Sequence, residues 1–174
     1  QLPVTQAHVA NPNLTLHLHG PSKDLVKKSH HDQPADDPFY LWSGRAHIGN
    51  WAVSLESGDG PFDLTGQAKV RWRSKQSGFR ILRLIIKPAG GDWMVGDLGS
   101  DATQDWRVSE FNVMDIRWRK LNMERITEEH GVIENPDLSR VEQIGFTDLM
   151  IGADSLACSR LDWIEVYAVS APAQ

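Results

Sequence analysis

The chain has 174 residues, of which 40% are hydrophobic and 24% are charged. This composition is typical of a globular domain rather than a disordered chain, and no apolar run reaches the roughly 20 residues of a membrane-spanning helix. The formal net charge of -5 argues against a nucleic-acid partner, which favours a basic domain.

Alternation of apolar and polar residues predicts strands, because successive side chains of a strand point to opposite faces. The first predicted strand runs from Asn13 to His19, and a long polar loop over 24–39 follows it. Later strands are predicted over 51–55, 67–73, 80–87, 92–95, 104–113, 141–151 and 161–169. The segment Leu121 to His130 is predicted to hold a short helix, with Met123 and Ile126 as its apolar contacts.

Many short strands separated by Gly, Pro, Asn and Asp clusters predict an all-β chain with an antiparallel two-sheet β-sandwich, or jelly roll. No repeat or linker divides the sequence, so we expect one domain over 1–174. Its single cysteine, Cys158, allows no internal disulfide and is expected to be a buried apolar residue.

The strand over 67–73 carries a basic face. Ala68, Val70 and Trp72 point one way, and Lys69, Arg71 and Arg73 point the other way. If the strand over 80–87 pairs antiparallel with it, Arg83 and Lys87 join this face. Such a face suits an acidic sugar or a carboxylate, which arginine binds through paired hydrogen bonds. A solvated outer face balanced by nearby acids remains the alternative.

Three stretches resemble the galactose-binding-like jelly roll, the fold of many carbohydrate-binding modules. They are Phe62 to Gly66 before a core strand, Pro136 to Phe146 leading into a late strand, and Leu161 to Tyr167 as the closing strand. The resemblance implies a jelly-roll core over 46–169, with residues 1–45 adding an N-terminal strand and a long loop. It implies sugar binding only weakly, because one fold hosts many functions.

Tryptophan residues are candidates for sugar binding, because an indole plane packs against a pyranose ring. The chain has seven tryptophans. Trp51 and Trp72 fit the apolar faces of their strands and are expected in the core. Trp93 and Trp106 flank a Gly- and Asp-rich rim, and Trp163 lies beside Tyr167 opposite the expected core face. The predicted ligand-binding residues are Trp93, Trp106, Trp163, Tyr167, Arg71, Arg73 and Arg83.

Metal sites are a separate possibility. His17 and His19 share one strand face at a spacing that can chelate a metal, although a zinc site needs further converging ligands. The jelly-roll resemblance implies a structural Ca²⁺ near the chain ends, for which Asp36, Asp37 and Asp162 are the candidate carboxylates. No other cofactor is expected.

Three functions remain open. The first is a non-catalytic carbohydrate-binding domain of an exported bacterial protein, secreted or periplasmic. The chain opens on Gln1 and its first residues do not form a signal peptide, which favours a mature protein whose signal was removed; a trimmed chain is the alternative. The second is a small glycoside hydrolase of sandwich fold, which needs two carboxylates about 5–10 Å apart; Glu110 and Glu165 are candidates. The third is a structural or interaction domain in a cell-surface assembly, which predicts an exposed apolar patch.

Overall fold

The structure, a computed structural model, describes residues 2–30, 38–44, 46–150 and 156–171. These residues form fifteen strands and three short 3₁₀ turns. The strands are β1 (Leu2–Pro3), β2 (Leu14–His19), β3 (Lys27–Ser29), β4 (Tyr40–Trp42), β5 (Ala52–Ser57), β6 (Phe62–Asp63), β7 (Lys69–Gln76), β8 (Leu82–Pro88), β9 (Met94–Ser100), β10 (Arg107–Asn112), β11 (Trp118–Asn122), β12 (Thr127–Ile133), β13 (Val141–Thr147), β14 (Ser159–Tyr167) and β15 (Val169–Ser170). The 3₁₀ turns are Gln6–His8, Lys23–Leu25 and Val113–Asp115.

The strands form two antiparallel sheets, which confirms the predicted all-β sandwich. The six-stranded sheet has the order β1-β3-β4-β14-β7-β10. The nine-stranded sheet has the order β12-β11-β9-β8-β13-β5-β2; β6 also pairs with β13, and β15 pairs with β6. No helix among the described residues is long and apolar enough to cross a membrane.

The core lies between the two sheets, where the inward-facing side chains of both meet. Val70 and Trp72 of β7 pack there with Trp51, Phe146 and Ile86 from the nine-stranded sheet side. Trp51 and Trp72 are completely buried, and Cys158 is buried as well, so these three predictions are confirmed. Burial of such large apolar side chains is the main source of stability for a chain without disulfides.

The segment predicted as a helix is instead a hairpin. Strands β11 and β12 pair antiparallel, with Trp118 opposite Ile133 and Asn122 opposite Thr127. The apolar residues Leu121 and Ile126 are both buried, but Leu121 lies in β11 and Ile126 is the last residue before β12, so they do not form one face of a helix. Ile126 has a positive φ of 53°, which a helix does not allow.

The N-terminal region contributes more strands than expected. Besides β2, it supplies β1, β3 and β4, and β3 lies inside the segment predicted to be a loop. Strand β2 is the outermost strand of the nine-stranded sheet. The Gln6 side chain covers its free edge, because Nε2 donates to the Leu14 carbonyl at 2.7 Å and Oε1 accepts from the Leu16 N–H at 2.7 Å.

Candidate functional site

The outer face of the six-stranded sheet gathers five of the seven predicted ligand-binding residues. These five residues, which we call the arginine face, are Arg71, Arg73, Trp106, Trp163 and Tyr167. Alternation on β7 turns its arginines away from the core, and antiparallel pairing places Trp163 opposite Arg73 and Tyr167 opposite Lys69. Strand β10 adds Glu110 directly opposite Arg71.

The charges of the arginine face are paired within the chain. Arg73 Nη1 lies 2.8 Å from Asp162 Oδ2, and Arg71 Nε lies 3.3 Å from Glu110 Oε2. Lys69 Nζ lies 3.2 Å from the same glutamate. These pairs match the solvated outer face that the sequence left as an alternative, and each carboxylate offsets the attraction that an acidic ligand would feel.

The indole rings of this face also have partners already. The Arg71 guanidinium lies 5.9 Å from the ring centre of Trp163, and that of Arg73 lies 5.4 Å from the ring centre of Trp106. Both distances are within the range of a cation–π contact. A pyranose ring stacking on either indole would compete with an arginine already held there.

Arg83 and Trp93 do not belong to this face, so the predicted extension of the basic face by Arg83 and Lys87 is wrong. Strand β8 pairs with β9 and β13 in the nine-stranded sheet, whereas β7 pairs with β10 and β14. The chain crosses from one sheet to the other between β7 and β8. Arg83 instead donates from Nε to the Gly96 carbonyl at 2.7 Å and pairs with Glu128 at 2.6 Å.

The outer face of the nine-stranded sheet carries a second polar group, which we call the histidine face: His17, His19, Ser54, Glu56 and Gln143. Strands β2, β5 and β13 are neighbours, and their inward residues are apolar, so these side chains point away from the core. His17 Nε2 lies 2.8 Å from Glu56 Oε2. His19 Nε2 lies 2.8 Å from Ser54 Oγ, which donates to Gln143 Oε1 at 2.7 Å.

These bonds fix the tautomer of His19. Because the Ser54 hydroxyl gives its proton to Gln143, its oxygen must accept a proton from His19 Nε2. Burial, reinforced by the charges of His17 and Lys23, lowers the pKa of His19 to about 4. At neutral pH the ring is therefore neutral and keeps a lone pair on Nδ1. The row therefore contains an imidazole acceptor, His19 Nδ1, and the amide of Gln143, and both kinds of group can bond hydroxyls.

An aromatic surface adjoins this polar row. The Trp93 ring centre lies 5.3 Å from that of His19, at an interplanar angle of 65°. Trp93, Met123 and Leu149 pack against a second apolar cluster, separate from the core. The buried members of this cluster are Ala52, Ile85, Val95, Leu121 and Ile126.

The hairpin connection between β11 and β12 shapes this surface. Asn50 Nδ2 donates to the Ile126 carbonyl at 2.7 Å, which holds the connection against the sheet. On the same hairpin, Glu128 bridges Arg83 at 2.6 Å and Arg119 at 3.3 Å. The outer face of the nine-stranded sheet is therefore partly covered. Ser54 is completely buried, whereas the side chains of His17 and Glu56 are 34% and 49% exposed.

The metal candidates do not assemble within the described residues. Asp162 is committed to Arg73 at 2.8 Å, and Asp36 and Asp37 lie outside the described residues. No group of three or more His, Cys, Asp or Glu side chains in the described part of the chain has the geometry to hold a metal ion. His17 and His19 stack with ring centres 6.2 Å apart, and each has its own hydrogen-bond partner.

The carboxylates proposed for a hydrolase lie on the arginine face. Glu110 and Glu165 are both opposite Arg71, on the two strands that flank it. Arg71 lies 3.3 Å from Glu110 and 3.8 Å from Glu165, and both glutamates are about half exposed. A glycosidase needs a sugar between its two carboxylates, whereas an arginine fills that position here.

Sequence reasoning found part of the histidine face and missed the rest. His17 and His19 were visible through their spacing, and Trp93 through its position at a hairpin rim. Ser54 and Gln143 carried no local signal, because only long-range pairing of β5 with β2 and β13 brings them to His19.

Comparisons with known proteins give the fold but no family. No family model matches the chain, and no curated protein matches it. Among solved structures, it is similar to the family 11 carbohydrate-binding module of a cellulosomal cellulase of Clostridium thermocellum, with a TM-score of 0.56 and 15% identity over 91% of this chain and 89% of that chain. A family 11 module of the same bacterium, in complex with a β-1,3-1,4-mixed-linked tetrasaccharide, gives a TM-score of 0.55 and 13% identity over 97% and 95% of the two chains.

A third structure, an exo-β-agarase, gives a TM-score of 0.52 and 10% identity, and the match covers 99% of this chain and 25% of that chain. At these identities the similarity concerns the fold. The predicted β-sandwich is therefore confirmed, and its fold is similar to that of these modules.

Proposed function

We propose that this chain is a carbohydrate-binding domain of an exported protein, and that it binds a neutral glycan on the outer face of the nine-stranded sheet. The observation that carries the proposal is the contact between Trp93 and His19, at 5.3 Å between ring centres. It joins an aromatic surface to a row of side chains already linked by hydrogen bonds. Carbohydrate-binding modules as structural neighbours support the same function.

The chemistry of the row favours sugar hydroxyls. A hydroxyl both donates and accepts, so sugar hydroxyls can bond both the Nδ1 acceptor of His19 and the amide donor of Gln143. His19, Ser54 and Gln143 are held in place by their mutual bonds at 2.7 and 2.8 Å, which reduces the ordering cost of binding. An apolar ring beside such a row completes the pattern of an amphipathic sugar surface.

The arginine face is the less favourable site. Its two arginines and the neighbouring Lys69 are paired with Glu110, Glu165 and Asp162, and its indoles already hold guanidinium groups. A ligand there would have to break these contacts. The two faces thus give opposite predictions for two tryptophans, and this difference provides the test.

Binding to soluble polysaccharides and oligosaccharides, measured by affinity electrophoresis and calorimetry, tests the proposal. Trp93→Ala is expected to weaken binding at least about tenfold, equal to a loss of about 1.4 kcal/mol. Trp163→Ala is the matched control and is expected to leave the affinity unchanged. Because Trp93 also packs on an apolar cluster, Gln143→Ala serves as a second variant, with circular dichroism to confirm the fold.

The results separate the alternatives. Lost binding in Trp163→Ala with retained binding in Trp93→Ala would move the site to the arginine face. Absence of binding across a panel of plant, algal and bacterial glycans would refute the carbohydrate-binding function. It would favour the hypothesis of a structural or interaction domain.

A further inference from the structure

The two sheets close tightly on one side of the sandwich and stay apart on the other. Inward side chains of β7 and β8, such as Trp72 and Ile86, are fully buried. Leu16, Leu55 and Ile164 point into the same interior from β2, β5 and β14, but they are only partly buried. In a close-packed interior these three side chains would be fully buried too. Their partial exposure indicates an apolar opening between the sheets on the β2 side.

This opening is a cleft of about 410 Å³. A second cavity of about 400 Å³ continues it and shares the lining residues Asn11, Leu14, Leu55 and Ile164. The N-terminal segment 4–11 forms one wall of the cleft. That wall is anchored by the two Gln6 hydrogen bonds to β2 and by the Thr5 N–H, which donates to His8 Nδ1 at 3.0 Å.

The dimensions of the cleft restrict what can enter it. Packed sheets lie about 10 Å apart, a gap that side chains from the two inner faces fill. An α-helix, with its diameter of about 10–12 Å, does not fit into such a gap beside the existing side chains. A slender apolar chain does fit, because it replaces the side-chain volume that is missing. Volumes of this size are typical of small-molecule sites.

The cleft mouth carries a cation. Lys28 lines the cleft, and its Nζ lies 4.5 Å from the ring centre of Phe39, which also lines it. The carboxylate at this mouth, Asp162, is bound to Arg73 at 2.8 Å. An ammonium held over a ring beside an apolar slot complements a ligand with an anionic end and an apolar body.

We propose that this cleft is a binding site for a single unbranched fatty acid, with its alkyl chain between the sheets and its carboxylate at Lys28. Each buried methylene group contributes favourably, at about 0.8 kcal/mol, so affinity rises with chain length until the cleft is filled. The site is on the opposite side of the nine-stranded sheet from the proposed glycan surface, and the two proposals stand or fall separately.

Calorimetry with dodecanoate, dodecanol and dodecylammonium, each below its micelle-forming concentration, tests the ligand class. Dodecanoate is expected to bind best, dodecanol about tenfold more weakly, and dodecylammonium least. Lys28→Met is expected to weaken dodecanoate binding about tenfold and to leave dodecanol binding unchanged. Equal affinities for dodecanoate and dodecanol in the wild type would overturn the role of the lysine.

A cleft-filling variant tests the position. Leu55→Trp, at the junction of the two cavities, is expected to abolish binding of a dansyl-undecanoate probe. Leu98→Trp places the same indole on an exposed part of β9 and is the matched control, expected to bind the probe normally. Ala7→Trp, in the N-terminal wall, provides a variant outside the core. Normal probe binding by both Leu55→Trp and Ala7→Trp, or no dodecanoate binding by the wild type, would refute the proposal.

Discussion

Removal of Arg80 is expected to be among the most damaging single changes in this chain. Arg80 and Asp148 form a buried ion pair at 2.8 Å, with side chains only 2% and 0% exposed. Arg80 also donates to the carbonyls of Ala157 at 3.0 Å and Met150 at 2.7 Å. The pair thus ties the crossing between β7 and β8 to the segments around β13 and β14.

Arg80→Met keeps much of the side-chain volume but leaves the carboxyl of Asp148 buried without its cation. Breaking a buried pair from one side typically costs about 3–5 kcal/mol, which is a large part of the 5–15 kcal/mol that stabilises an ordinary domain. Burial already raises the pKa of Asp148, against the opposing effects of Arg80, the Met150 N–H and the Ser159 hydroxyl. Without Arg80 this pKa rises further, so the folded variant holds a proton that the unfolded chain releases.

The free energy of unfolding in urea, measured at pH 7 and pH 5, checks this reasoning. The deficit of Arg80→Met is expected to be smaller at pH 5, because protonation neutralises the buried carboxyl. Arg117→Met is the control: its pair with Asp97 has an arginine that is 77% exposed, and its loss is expected to cost less than about 1 kcal/mol. A cost for Arg80→Met no larger than that of the control would refute the structural role assigned to the buried pair.

Two further predictions concern the nine-stranded sheet. In the unfolded chain His19 takes up a proton below about pH 6.5, but its pKa of about 4 keeps it neutral in the folded chain. Stability is therefore lost as the pH falls from 7 to 5, by about 1 kcal/mol after allowance for solvent screening, and His19→Gln should lack this part of the pH dependence in urea unfolding. Gly145→Ala would drive a Cβ into the carbonyl oxygen of Val53 on β5, so thermal unfolding should show a loss of stability of at least about 2 kcal/mol. Gly91→Ala, whose added Cβ has its nearest contact at 3.3 Å, is the control. Equal losses of stability in the two variants would contradict the steric argument.

The sequence predicted the strands well where alternation was strong. The β7 pattern, with Val70 and Trp72 inside and Arg71 and Arg73 outside, is fully present in the fold. Alternation reports which face a side chain takes, because it depends on local backbone geometry alone.

What the sequence did not predict was pairing. Strands consecutive in the chain often pair, yet β7 and β8 lie in different sheets, so Arg83 is far from the arginines it was expected to join. The residue at this crossing is Arg80, which is buried. Local periodicity assigns a charged residue to the surface, so it gave no indication that Arg80 lies inside the fold. The helix predicted over 121–130 failed for a related reason, because Leu121 and Ile126 pack on the outer side of a sheet that only long-range pairing creates.

The glutamine that covers β2 has a consequence for how molecules of this chain meet one another. An unpaired sheet margin is a template on which a strand from another molecule can polymerise. By engaging the carbonyl of Leu14 and the N–H of Leu16, Gln6 occupies the groups that an incoming strand would bond first. One amide side chain thus hinders the addition of a strand from another molecule at the β2 edge of the nine-stranded sheet.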